Sequence, residues 1–341
     1  MKKKIVYSLL TLVLLAGGFI GYEIFGPTVS APSKKYFYIK TGDTFDKVKA
    51  GLLDAEIISS GFWFNQVAGK LKYPKNVKAG RYEIKNGMSL FNLLRMLRSG
   101  NQSPVNLVIT KLRTKEDLAL KIAANFECDS LSVISFLNSN DSLRKYNVDS
   151  NTVMTAVIPN TFSIFWNTTP EKIFKKIYSE QEKFWTEERE KKAAGLNLTP
   201  QQAYILASIV EEETNMDEDK GKIASVYINR METGMKLGAD PTVKFAMKDF
   251  GLKRIYNKYL SFVSPYNTYQ NFGLPPGPIC TPSVKTIDAV LNAPQTNYIY
   301  FVAKPDLKGY SNFATNYTEH MVFAKAYQNA LDSLAKAKAG K

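Results

Sequence analysis

Residues 199–214 read TPQQAYILASIVEEET. Thr199 stands as an N-cap, Pro200 occupies the first helical position, and Gln202 lies three residues after the cap, a strong helix start. Ala203, Leu206, Ile209 and Val210 follow at helical spacing. The run is apolar on nearly every side, which places the helix inside the protein. It nonetheless ends in Glu211, Glu212 and Glu213. At about 100° per residue, Glu213 falls roughly 20° from Leu206, within the apolar stripe. Glu211 falls roughly 140° away, beside Ala207 and Ser208, and Glu212 roughly 120° the other way. A carboxylate on a buried face is costly unless paired or protonated. Desolvation raises its pKa from about 4.3, as a general acid working near neutral pH requires. Glu213 is therefore a candidate acid; the alternative is a cap or salt bridge closing a core helix.

The chain has 341 residues and 45% hydrophobic content, enough for one large or two to three small domains with a sizeable core. Its net charge of +14 suits polyanions or anionic lipid. The charge is scattered over many lysines, with no Arg-rich groove and no nucleic-acid motif, which argues against nucleic acid as a partner. Cys128 and Cys280 lie far apart without metal-ligand spacing; a disulfide is open to them, and two free thiols fit better. The single histidine, His320, excludes a His-rich zinc site.

Lys2, Lys3 and Lys4 precede an apolar run over residues 5–25, about the length that spans a bilayer. The basic cluster predicts residues 1–4 in the cytoplasm and everything after Phe25 exported. A cleaved signal peptide is the rival, since Val29-Ser30-Ala31 resembles a cleavage site; the length of the run favours a retained anchor. No cysteine follows the run, which excludes a lipoprotein anchor.

Residues 26–35 read as a linker, and residues 36–100 as a small α+β unit. In it a strand carrying Phe37 and Ile39 leads through a Gly42-Asp43 turn into a helix capped by Asp43 or Thr44. Further helices are expected over 60–70 and 89–98, the latter capped by Ser89, with a strand from Gly80 and a turn at Asn86-Gly87 between them. The strand–turn–helix opening resembles a LysM module, which binds amino-sugar polymers. A larger α+β domain is expected over 104–341. It begins with a strand at 105–110 and a helix capped by Thr114. A turn is expected at Pro159-Asn160-Thr161-Phe162, and a single charged helix from Thr169 to about Ala194.

After the glutamates, a helix from Asp217 carries Ile223, Val226, Tyr227 and Met231 and closes at Gly234. Asp240 precedes Pro241, as an N-cap would. Tyr266-Asn267-Thr268-Tyr269 and the proline-rich loop Gly273-Leu274-Pro275-Pro276-Gly277-Pro278-Ile279 follow. So stiff a loop suits a site, and tyrosine and asparagine beside it suit sugar rings and N-acetyl groups; an irregular structural loop is the alternative. A helix over 283–292, a strand over 297–303 and a capping box at Asn316-x-x-Glu319 complete the chain, with His320 as a packing residue in the last helix's first turn.

LASIVEEET, KIASVYINRM, ADPTV, YNTY, GLPPGPI, YIYFV and the NF…EH segment, in that order, resemble the catalytic domain of the YceG-like family of endolytic murein transglycosylases. The likeness is dense over 206–320 and looser over the rest of 104–341; the apolar N-terminus and LysM-like unit fit the family's layout. It implies an α+β enzyme, a lytic transglycosylase. Such an enzyme cuts peptidoglycan strands internally, between N-acetylmuramic acid and N-acetylglucosamine, leaving 1,6-anhydro ends, and so terminates strand elongation. It implies single-pass anchoring in the inner membrane, a periplasmic catalytic domain, contact with a peptidoglycan synthesis complex, and no cofactor or metal. Glu213 takes the position of the family's essential glutamate, with Glu211 as runner-up. Tyr266, Asn267, Thr268, Tyr269, Leu274, Pro275 and Asp240 become the candidate glycan-binding residues. PNTF at 159–162 departs from the family's P-D-T-Y pattern, so no acid role falls on Asn160.

The implied chemistry uses one carboxyl twice. Protonated Glu213 donates to the glycosidic oxygen, the 2-acetamido group holds the oxocarbenium-like centre, and ionised Glu213 then takes the C6 hydroxyl proton. A muramidase is the nearest alternative and would need a second carboxylate, from Asp240 or Glu211. A catalytically silent, membrane-tethered wall-binding protein is the alternative of a different class.

Overall fold

The computed structural model describes residues 2–252 and 254–339, and the chain divides into two compact units. The first unit comprises residues up to Leu107 together with Ala123–Asp129 and Ser163–Thr169. It holds α1 (Lys2–Phe25), β1 (Tyr36–Ile39), α2 (Phe45–Asp54), α3 (Gly61–Lys70), β2 (Gly80–Glu83) and α4 (Leu90–Ser99). β1 and β2 pair antiparallel, Phe37 opposite Tyr82. The caps fall where local chemistry puts them: Thr44, Ser60 and Ser89 each accept from the backbone N–H three residues on. Val48, Leu52, Phe64, Tyr82, Leu93 and Leu97 pack into the unit's core.

Two expectations for this unit change. Residues 26–35 are not a free linker: Val29 is buried, its N–H donates to the Met88 carbonyl at 3.1 Å, and its carbonyl accepts from Gly87 N–H at 3.0 Å. The stretches 123–129 and 163–169, expected in the larger domain, belong here. Glu127 accepts from the Thr41 N–H at 2.6 Å and hydroxyl at 2.7 Å, and the Trp166 ring meets Tyr38 edge-on at 4.9 Å. α1 contains a 23-residue stretch long and apolar enough to cross a membrane.

The second unit carries most of the helices. After β3 (Val105–Ile109) come α5 (Lys115–Ala123), α6 (Ser130–Asn138), α7 (Asn140–Leu143) and β4 (Asn160–Ile164). β3 and β4 pair, so Asn160, Thr161 and Phe162 of the expected turn instead open a strand, with Pro159 just before it. The expected single helix from Thr169 is two, α8 (Pro170–Phe184) and α9 (Glu187–Gly195). The break falls at Trp185-Thr186, where the Thr186 hydroxyl caps α9 and Trp185 is buried. α10 (Pro200–Glu213), α11 (Asp217–Glu232), α12 (Asp240–Met247), α13 (Asn257–Leu260) and α14 (Val284–Leu291) follow. β5 (Tyr300–Ala303) and β6 (Ser311–Ala314) form an antiparallel pair, and α15 (Tyr317–Ala339) ends the described chain.

α10 is the centre of this unit. Thr199 and Gln202 make both bonds of a capping box, and every residue from Ala203 to Val210 is buried. α11, α12, α14 and α9 pack around it. A helix buried on all sides must emerge somewhere, and α10 emerges at its three glutamates.

Candidate active site

The three glutamates leave α10 in three directions, and each meets different chemistry. Glu212 is paired with Lys111 at 2.6 Å and Arg113 at 3.3 Å. Burial pushes its pKa up, but the two cations outweigh this and hold the carboxyl below its usual range. Glu211 turns to the start of α14: its Oε2 accepts from the Ser283 hydroxyl at 3.0 Å and from the Thr286 hydroxyl, with Lys220 at 3.8 Å. This carboxylate braces a helix N-terminus, where negative charge is favoured.

Among the described residues, Glu213 meets no lysine at bonding distance. Its Oε1 accepts a 2.6 Å hydrogen bond from the Tyr227 hydroxyl on α11. Burial pushes its pKa from 4.5 up to about 7; the Tyr227 hydrogen bond opposes this, the charge of Asp240 adds to it, and Arg230 and Lys244 oppose it. The side chain is half-buried, so the carboxyl is held largely out of water yet reachable. The Tyr227 phenol is itself raised well above its ordinary value, by burial first and then by Glu213, so it stays a proton donor throughout the useful pH range.

Asp240 is the first residue of α12, with Ala239 as the cap position and no side-chain cap bond. The expected N-cap role therefore does not hold: the Asp240 carboxylate instead accepts from the Tyr269 hydroxyl at 2.7 Å. Arg230 is pinned nearby, its Nε donating to the Ile299 carbonyl at 2.7 Å and its guanidinium lying over the Tyr300 ring at 5.4 Å. His320 stacks on the Tyr300 ring at 5.0 Å, as a packing residue in the first turn of α15.

The loop residues divide into scaffold and surface. Asn267 is fully buried; its Nδ2 donates to the Leu260 and Phe262 carbonyls, and its Oδ1 accepts from Tyr269 N–H. Thr268 is also buried, accepting from Ala239 N–H at 2.9 Å and lying 2.9 Å from the Thr242 hydroxyl. Buried and bonded in this way, the two residues clamp the loop to the turn that carries Asp240. Tyr266 and Tyr269 are half-buried, Tyr266 packed on Phe245 at 4.7 Å. Leu274 and Pro275 line a hollow of about 530 Å³ with Leu198, Ile205, Ile228 and Phe272. Glu213 does not line that hollow. A second hollow, about 390 Å³, is lined by Lys111, Asn160, Glu211, Thr281 and Ser283. The loop is fastened from below: Ile279 N–H donates to the Ser208 hydroxyl at 3.0 Å, and a Cβ on Gly277 would lie 2.1 Å from the Asn151 carbonyl oxygen.

Tyr227 and Arg230 escaped the sequence reading as site residues. Tyr227 stood in it only as one of the apolar positions of its helix. The available signal was its hydroxyl: a tyrosine turned into a core needs a hydrogen-bond partner.

A mixed helix-and-strand protein with a buried helix ending in a half-buried carboxyl whose pKa burial raises to about 7 is the kind of scaffold that carries acid–base chemistry. The pattern of the YceG-like family matches residues 37–326, and the chain belongs to that family. An endolytic murein transglycosylase of Bacillus subtilis strain 168 is 30% identical over 285 residues, 78% of each chain. One from Streptococcus pneumoniae serotype 2 is 28% identical over 365 residues. That alignment covers 94% of this chain but only 64% of the pneumococcal protein's length. The crystal structure of a yceG-like protein from Listeria monocytogenes shares the fold, with a TM-score of 0.56 at 24% identity over 84% of this chain and 98% of that one.

Proposed function

We propose that this protein is an endolytic peptidoglycan lytic transglycosylase in which Glu213 acts first as acid and then as base. The observation that carries this reading is the Glu213 carboxyl, raised to about 7 chiefly by burial and held at one oxygen by Tyr227. At neutral pH about half of such a group carries its proton. With Oε1 fixed by the phenol, Oε2 is left to deliver that proton to the glycosidic oxygen. The same oxygen, now ionised, accepts the C6 hydroxyl proton as that alcohol closes on C1. The closure is intramolecular and requires held geometry rather than an activated water. The endolytic murein transglycosylases to which the chain is similar support the substrate assignment.

Tyr266, Tyr269, Leu274 and Pro275 are the surface we assign to glycan positioning, with Asn267 and Thr268 as its scaffold. α1 is read as a single-pass anchor, with the catalytic domain on the periplasmic side. The strand–helix–helix–strand order of β1, α2, α3 and β2 supports a LysM-like role in glycan binding for residues 36–100.

The test is digestion of purified peptidoglycan by the full chain, with the products weighed. Anhydro-muropeptides are expected from the wild type and none from Glu213→Gln, which should fold normally. Products heavier by one water would make the enzyme a muramidase, and full activity in Glu213→Gln would overturn the assignment.

A further inference from the structure

Resting on the reading of α1 as a membrane span, we propose that the first turn of α3 is seated in the leaflet from which α1 emerges. Phe62 and Trp63 then lie among lipid acyl chains.

The depth follows from the helix. From Ile5 to Phe25, α1 rises about 30 Å, the thickness of the hydrocarbon layer. The lysines at residues 2–4 mark one headgroup region, and Glu23, the ionisable residue near the other end, marks the opposite one. Phe19 precedes Glu23 by one turn, about 6 Å, and so lies in the upper acyl region. The Phe19 ring meets the Trp63 ring edge-on with centroids 6.3 Å apart. A ring held against Phe19 shares its depth.

The connection has no slack that would let this contact part from the span. Gly26 N–H donates to the Tyr22 carbonyl at 2.7 Å, and three residues later Val29 is bridged to Met88 inside the unit's core. Phe25 packs on Phe91 of α4 at 5.5 Å. Phe62 stands beside Trp63 at 5.1 Å and is 61% exposed, whereas Trp63 is half-buried against the unit's core. Tryptophan concentrates at membrane–water boundaries for this reason: an apolar ring with one polar edge. One turn beyond Phe91 on the same helix face, Arg95 is exposed, a cation of the kind that meets lipid phosphates. The occupant is therefore phospholipid.

The test uses the full chain in liposomes of zwitterionic and anionic phospholipid, with Trp166→Phe and Trp185→Phe leaving Trp63 as the single tryptophan. Lipids brominated high on the acyl chain should quench Trp63 about twofold or more, and lipids brominated near the chain end less. A companion chain carries Leu12→Trp with all three native tryptophans replaced by Phe; it reports on the span and should be quenched best by the deep bromines. Quenching at position 12 without quenching at Trp63 overturns the seating of α3 and leaves the anchor intact. No quenching at position 12 overturns the anchor, and the seating with it. Should the tryptophan replacements unfold the protein, a nitroxide on Phe62→Cys, in a Cys128→Ser, Cys280→Ser background, decides the same question. Collisions with oxygen should exceed those with a water-soluble nickel chelate; the reverse order overturns the proposal.

Discussion

The Tyr227 hydroxyl and the Glu213 carboxylate, on successive helices, share a 2.6 Å hydrogen bond in which the phenol is the donor. The bond favours the ionised carboxylate, against the burial that favours the neutral acid. Tyr227→Phe removes the opposing influence and keeps the ring. Glu213 should then titrate above its present value of about 7. The alkaline limb of kcat/KM should move to higher pH, while kcat falls about 10- to 100-fold because the carboxyl is no longer oriented. A limb that moves to lower pH would contradict this arrangement.

Asp240 acts in the opposite sense. Its negative charge raises the Glu213 pKa, and its carboxylate accepts from Tyr269. Asp240→Asn keeps an acceptor for the phenol and removes the charge. The alkaline limb should move to lower pH with product chemistry unchanged. Complete loss of turnover would instead point to Asp240 as the second carboxylate of a hydrolase, which product mass would confirm.

The raised pKa also ties stability to pH. Glu213 binds its proton in the folded state up to about pH 7, whereas the unfolded chain releases it near 4.5. The contribution is thus fully present below the unfolded value and is lost as pH rises through the folded one. The loss amounts to at most about 3 kcal/mol, less in proportion to the group's remaining exposure. Glu213→Gln removes the dependence. Denaturant titrations of the detergent-solubilised chain should show the variant gaining on the wild type between pH 5 and pH 8; a constant difference would exclude the shift.

Glu211 is expected to be structural. Glu211→Ala strips the acceptor from Ser283 and Thr286 and leaves Lys220 with Asp217 alone. Stability should fall by about 1–3 kcal/mol, with activity per folded molecule close to wild type. If Glu211→Gln folded normally but released no anhydro product, the catalytic role would pass to Glu211.

Local chemistry accounts for what was legible. The capping box at Thr199 and Gln202, the Ser89 and Thr44 caps and the inward turn of Glu213 each depend on residues within one or two turns of helix. The misreadings needed distant partners. Asn160-Thr161-Phe162 looks like a turn until β3 supplies its ladder, and Asp240 looks like a cap until Tyr269, 29 residues on, takes its carboxylate. Asn267 and Thr268 have the polarity of a sugar-binding pair; that both are buried and bonded to backbone groups is visible only in the fold.

By itself the sequence determined that α10 is a buried helix, that it ends in three carboxylates, and that one of them follows the apolar stripe. Helical periodicity is an intrinsic property of the chain. Only the tertiary structure decided which partner each carboxylate meets: two cations for Glu212, a helix start for Glu211, and a phenol in a desolvated niche for Glu213. Ionisation depends on the dielectric and charges around a group, and those are contributed by elements far away along the chain.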